Sequence, residues 1–138
     1  MNESNSTKLI LIVEDEAPSQ EIYRDILESE GYDTQVAESA ETALEWLSSN
    51  TPDLVLLDII LPQQSGIDVL RHIRESAMTK NTPVVVYSVI NDQAKIDQAL
   101  ALGANDFTIK GETPAYEVLN KINTLLGVHP MSEKPAEE

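Results

Sequence analysis

Residues 53–66, with the sequence DLVLLDIILPQQSG, decide the fold of this chain. Four apolar residues, Leu54–Leu57, lead directly into Asp58, and Pro62 and Gly66 follow within the same stretch. An uninterrupted apolar run is typical of a parallel strand that helices cover on both faces. The stretch therefore predicts a central strand that ends in an acid and is followed by a turn into a helix.

Two further apolar runs, residues 9–13 and 84–87, predict two more central strands, and the more polar segments 34–37 and 107–109 predict the edge strands. Between the strands, hydrophobic residues recur at helical spacing. The expected apolar helix faces pair Ile22 with Ile26, Ala40 with Leu44 and Leu47, Leu70 with Ile73, Ile96 with Leu100, and Val118 with Ile122 and Leu125. Pro18, Ser39, Ser65 and Asn91 or Asp92 are expected at helix starts. Five βα units predict an α/β, flavodoxin-like, doubly wound parallel sheet of order 2-1-3-4-5 with five helices.

Composition limits the classes of function. The chain has 138 residues, no cysteine and a net charge of −15, so it suits one domain without disulfides or thiolate metal sites. The negative charge repels nucleic acids and anionic membranes, and no apolar run is long enough for a membrane helix. We expect a cytoplasmic location and a protein partner. Residues 1–7 are expected to be a flexible leader, 8–126 the domain and 127–138 a polar acidic tail.

Polar side chains follow four of the predicted strands. Glu14 and Asp15 come after strand 1, Asp58 after strand 3, Ser88 ends strand 4, and Lys110 follows strand 5. Carboxyl ends of parallel strands meet at one edge of a sheet, so these residues are expected to converge. Clustered carboxylates favour a bound cation, and an all-oxygen set suits Mg²⁺. The hydroxyl and the ammonium can hold phosphoryl oxygens, which makes the strand 3 carboxylate the candidate nucleophile.

Each of these residues also has an ordinary structural explanation. An aspartate at a strand end is most often a cap or a turn residue, Ser88 fits a helix cap, and Lys110 fits a solvated surface charge. The acidic pair after strand 1 fits the cap of the first helix. Their joint placement at one edge is what favours a functional site.

With these motifs the chain resembles the receiver domain of two-component response regulators. The resemblance is carried by LILIVEDE at residues 9–16, DLVLLDIILPQQSG, VVVYS at 84–88 and GANDFTIK at 103–110. It implies that Asp58 accepts a phosphoryl group from a histidine kinase or a histidine phosphotransfer protein. It also implies that Asp15, Asp58 and the Ile60 carbonyl bind Mg²⁺, with Glu14 acting mainly through water.

The resemblance further implies a switch. Ser88 and Lys110 are expected to bind the phosphoryl group, and Ser88 and Phe107 to move together on phosphorylation. We expect a stand-alone receiver with no enzyme activity beyond its own phosphotransfer and dephosphorylation. Output to an unknown downstream protein is expected through helix 4, strand 5 and helix 5, with the contact candidates Lys95, Gln98 and Tyr116, all expected to be exposed.

Two departures from the family pattern keep an alternative open. Gly111 follows Lys110 where receivers usually have a proline, and Val89 is larger than the small residue common after the strand 4 hydroxyl. A degenerate receiver that acts as a constitutive binding module is therefore the main alternative. An aspartyl-nucleophile phosphatase is disfavoured, because its second Asp, two residues after the nucleophile, is replaced by Ile60.

Overall fold

A computed structural model describes residues 7–89 and 93–128 of the protein. Its strands are β1 (Leu9–Val13), β2 (Asp33–Ala37), β3 (Leu54–Leu57), β4 (Val84–Ser88) and β5 (Asp106–Ile109). Its helices are α1 (Ala17–Ser29), α2 (Ala40–Leu47), α3 (Gly66–Glu75), α4 (Gln93–Ala101) and α5 (Ala115–Leu126). The strands form one parallel sheet of order β2-β1-β3-β4-β5, so the predicted fold and strand order are confirmed.

Helices cover the sheet on both faces and create two hydrophobic layers. Alternate residues of β1, β3 and β4 face α2, α3 and α4 on one side, and the others face α1 and α5 on the opposite side. All residues of β3 and β4 are buried, which explains why these strands are apolar without alternation. Among the residues described, no helix has both the length and the apolar character that a membrane crossing requires.

Local sequence signals mark the starts of three helices. Ser39 forms a capping box with Thr42 at the start of α2, and the Ser65 hydroxyl accepts a hydrogen bond from the Ile67 N–H at 3.0 Å. Pro18 lies in the first turn of α1, as predicted. The alternative caps predicted for α4, Asn91 and Asp92, lie outside the described residues.

Two predicted helix faces are wrong. Ile22 is 51% exposed and Leu100 is 46% exposed, whereas the buried residues of their helices are Leu27 in α1 and Ala99 in α4. Successive residues of a helix point about 100° apart. A predicted apolar face that is wrong by one residue therefore points toward solvent and not toward the core. In α1 the packed pair is Tyr23 with Leu27.

Candidate functional site

The sheet brings the predicted acids together at its carboxyl edge. Sheet hydrogen bonding continues past the strand ends, because the Glu14 N–H donates to the Ala37 carbonyl at 3.0 Å and the Asp58 N–H to the Val13 carbonyl at 3.0 Å. One carboxylate oxygen each from Glu14, Asp15 and Asp58 lies within 4.8 Å of the others. The predicted acidic cluster therefore exists in the folded chain.

The turn after β3 holds Asp58 closely. The Oδ1 atom of Asp58 accepts a hydrogen bond from the Ile60 N–H at 2.8 Å, and the Gly66 N–H donates to the Ile59 carbonyl at 3.1 Å. A Cβ atom added to Gly66 would lie 2.3 Å from the carbonyl oxygen of Asp58. Glycine is therefore required here, because the start of α3 packs directly on the backbone of the acidic residue.

Lys110 points into the acidic cluster. Its Nζ atom lies 2.8 Å from Oδ2 of Asp58 and 2.6 Å from Oε1 of Glu14. The peptide bond between Lys110 and Gly111 is trans, and Gly111 has a φ of +83°, which a glycine adopts without strain. The glycine that replaces the expected proline thus leaves the ammonium group directed at Asp58.

Glu14 is the most enclosed of the three acids. It is fully buried, and its Oε2 atom accepts the Glu16 N–H at 3.0 Å. Its Oε1 atom accepts the hydroxyl of Tyr87 at 2.5 Å in addition to its contact with Lys110. Tyr87 is not among the site residues that the sequence predicts. One signal was available, because a tyrosine in an otherwise aliphatic buried strand needs a partner for its hydroxyl.

Burial and charge set the protonation of these groups. Burial raises the pKa of Asp58, and the Glu14 charge adds to this, while the contacts of Lys110 and the Ile60 N–H oppose it. Burial would lower the pKa of Lys110, but its hydrogen bonds and charge interactions with Asp58 and Glu14 outweigh burial and raise it. Burial and the hydrogen bond to Glu14 raise the pKa of Tyr87, so its hydroxyl stays a donor.

The donor set fits a hard divalent cation. Glu14, Asp15 and Asp58 offer only carboxylate oxygens, and Asp15 is exposed to solvent while the other two are buried. Mg²⁺ takes a few carboxylate ligands and keeps several waters, which an acidic cluster open on one side allows. The predicted Mg²⁺ role of the Ile60 carbonyl stays a prediction.

The predicted switch residues lie on the neighbouring strands β4 and β5. Ser88 is fully buried at the end of β4, and its carbonyl accepts the Lys110 N–H at 2.9 Å. Phe107 is half-buried on β5, opposite Val86, and packs against the layer under α2, α3 and α4. Val89 is 66% exposed. The movement expected of Ser88 and Phe107 stays a prediction.

The predicted contact candidates differ in exposure. Gln98 on α4 is exposed and Tyr116 on α5 is 65% exposed. Lys95 on α4 is partly buried, so its expected exposure is wrong. Lysine commonly lays its aliphatic stem along a helix and keeps only the charged end in water.

Comparisons with known proteins agree with this fold. The family model of the response regulator receiver domain matches residues 10–122. The chemotaxis protein CheY of Thermotoga maritima is 33% identical over 119 residues, which cover 84% of this chain and 98% of CheY. The chain belongs to the response regulator receiver family of two-component signalling.

Other relatives are longer. The phosphate regulon transcriptional regulatory protein PhoB of Escherichia coli is 35% identical over 117 residues, which cover 85% of this chain and 51% of PhoB. The chain thus spans about half the length of that relative.

The receiver domain of the sensor histidine kinase PA1611 of Pseudomonas aeruginosa shares the fold, with a TM-score of 0.79 and 24% identity over 88% of this chain and 99% of that one. Its crystal structure holds a magnesium ion in the active-site cleft.

Proposed function

We propose that the protein is a phosphorylation-activated signalling switch that accepts a phosphoryl group on Asp58 from a phosphohistidine donor. Receiver domains take phosphoryl groups from histidine kinases. The observation that carries the proposal is the position of Lys110 Nζ, 2.8 Å from the Asp58 carboxylate and 2.6 Å from that of Glu14. An ammonium group between two buried acids is suited to hold an oxygen of a group transferred to one of them.

In the proposed reaction an oxygen of Asp58 forms a bond to phosphorus as the bond between phosphorus and the donor histidine nitrogen breaks. The nitrogen keeps the electron pair of that bond, and Asp58 becomes an acyl phosphate. Lys110 then holds a phosphoryl oxygen, and the Ser88 hydroxyl donates to another. The turn at Gly66 keeps the backbone of Asp58 in place throughout.

The proposal includes a dependence on Mg²⁺. Glu14, Asp15 and Asp58 would hold the ion, as an acidic cluster does in receiver domains and as the magnesium in the PA1611 receiver illustrates. When bound there, Mg²⁺ supplies positive charge that offsets the negative charge of the phosphoryl oxygens. Without Mg²⁺, the negative charge of three carboxylates, offset by one ammonium group, would repel the negatively charged phosphoryl group of the donor.

We propose output through protein contacts rather than through catalysis. The surface formed by α4, β5 and α5 carries exposed Gln98 and Tyr116, and Phe107 lies beneath it, half-buried. We propose that Phe107 couples the acid site to this surface by shifting between two packing positions. The identity of the downstream protein does not enter the proposal.

Intact mass spectrometry after treatment with acetyl phosphate, with and without Mg²⁺, tests the proposal. We expect a single added phosphoryl group that requires Mg²⁺ and disappears in Asp58→Asn. Asp68→Asn is a matched control, since Asp68 lies on α3 in a solvent-exposed ion pair with Arg71. Unchanged incorporation in Asp58→Asn would refute the proposed acceptor, and no incorporation in the unaltered protein would favour the constitutive binding module.

A further inference from the structure

Tyr87 connects the hydrophobic layer under α1 and α5 to the acidic site. Its side chain is fully buried, and its ring packs edge to face against Tyr23 with the ring centroids 5.0 Å apart. A buried tyrosine hydroxyl requires a hydrogen-bond partner. Here the partner is Glu14, a member of the acidic cluster rather than a backbone carbonyl of the core.

The hydroxyl of Tyr87 helps to fix the Glu14 carboxylate in one orientation. Oε1 receives the tyrosine hydroxyl at 2.5 Å and the Lys110 ammonium at 2.6 Å, while Oε2 receives the Glu16 N–H at 3.0 Å. Three donors from three parts of the chain leave this buried side chain little freedom to rotate. Glu14 therefore presents the same oxygen to Lys110 that it presents to Tyr87.

The ring of Tyr87 also contacts Lys110 directly. The Nζ atom lies 4.9 Å from the ring centroid, within the distance at which an ammonium group is attracted to an aromatic face. Gly111, the next residue, has a positive φ, and a Cβ added to it would meet no atom within 4 Å, so the space beside this position is open. The N–H of Lys110 bonds to the Ser88 carbonyl at 2.9 Å, and contacts from Asp58, Glu14 and Tyr87 direct the end of its side chain.

We propose that Tyr87 is a positioning residue of the acceptor site, which holds Lys110 against Asp58 by fixing Glu14 with its hydroxyl and supporting the ammonium with its ring. The inference rests on the proposed function, in which Asp58 accepts the phosphoryl group. It assigns to Tyr87 no contact with the transferred group. We expect Tyr87 to limit the motion of the Lys110 side chain before any phosphoryl group arrives.

The test compares the ¹⁵N NMR signal of the Lys110 ammonium in the unaltered protein, Tyr87→Phe and Tyr32→Phe, all free of metal. The signal is assigned by its loss in Lys110→Arg. In the unaltered protein we expect a slowly exchanging signal, because two carboxylates hold the group. Tyr87→Phe keeps the ring and should speed hydrogen exchange of this group severalfold, and it should slow phosphorylation by acetyl phosphate about tenfold. Tyr32→Phe is the control, because it removes a buried hydroxyl that bonds to Asn123 away from the acids.

Faster exchange in Tyr87→Phe but not in Tyr32→Phe supports the proposal, and an unchanged Lys110 signal in folded Tyr87→Phe overturns it. A measurement that retains the hydroxyl of Tyr87 guards against misfolding of that variant. In protein labelled with 3-fluorotyrosine, Glu14→Gln should shift the ¹⁹F signal of Tyr87 and leave that of Tyr32 in place, and an unmoved Tyr87 signal overturns the proposal. If the unaltered protein takes up no phosphoryl group while Tyr87→Phe still loosens Lys110, the proposed function fails and the positioning role stands.

Discussion

Helices α3 and α4 cover the same face of the sheet, but they are held in very different ways. Of the ten residues of α3, five are buried: Gly66, Ile67, Val69, Leu70 and Ile73. Of the nine residues of α4, only Ala99 is buried. The apolar area that α3 removes from water is therefore much larger, and so is the free energy that keeps it in place.

The two helices also differ in where they are attached. The first residue of α3, Gly66, packs on the backbone of Asp58, so this helix is fixed at the acidic site itself. The end of α4 is fixed at the opposite edge of the sheet, where Arg74 donates to the Gly103 carbonyl at 2.9 Å and to Asn105 Oδ1 at 3.0 Å. The helix that packs on Asp58 is therefore held more firmly than α4, in which only Ala99 is buried.

The largest expected effect separates the two helices by stability. Ile73→Ala empties a fully buried position in α3 and should lower the free energy of unfolding by about 2–5 kcal/mol. Leu100→Ala, at a position in α4 that is 46% exposed, should change it by no more than about 0.5 kcal/mol. Urea denaturation measures both. Equal losses would mean that α4 is packed as firmly as α3.

An intermediate effect is expected where α3 meets the acceptor. Gly66→Ala places a Cβ 2.3 Å from the Asp58 carbonyl oxygen, so the helix must shift, which should cost about 1–3 kcal/mol of stability and slow phosphorylation. Ser65→Ala is the control. It removes only the hydroxyl that caps α3, which should cost about 1 kcal/mol without slowing phosphorylation. A Gly66→Ala protein with unchanged stability and phosphorylation rate would show that the contact does not constrain Asp58.

The smallest expected effect concerns the lifetime of the phosphorylated state. Ile60 lies two residues after Asp58 and is 40% exposed, and its apolar side chain cannot orient a water molecule for attack on an acyl phosphate. Ile60→Asn should therefore shorten the lifetime severalfold, measured as phosphate release after the donor is removed. Ile22→Asn changes an exposed isoleucine on α1 and should leave the lifetime unchanged. Equal lifetimes of Ile60→Asn and the unaltered protein would contradict this account.

Much of the site was predictable because it depends on strand ends. Glu14 and Asp58 follow apolar runs, Lys110 follows a predicted edge strand, and a parallel sheet of known order brings such positions to one edge. The network around Glu14 was not predictable in the same way. Tyr87 and Glu14 are 73 residues apart, and their contact depends on which way two side chains turn in a packed core.

The sequence by itself determined the alternation of strands and helices, the order of the sheet and the acids at its edge, because these follow from local hydrophobic periodicity and chain connectivity. The tertiary structure was needed to show that Leu27, and not Ile22, faces the sheet, and that Arg74 holds the loop after α4. It also decided the direction of the Lys110 side chain. That direction comes from Asp58, Glu14 and Tyr87, which long-range packing alone brings to the same ammonium group.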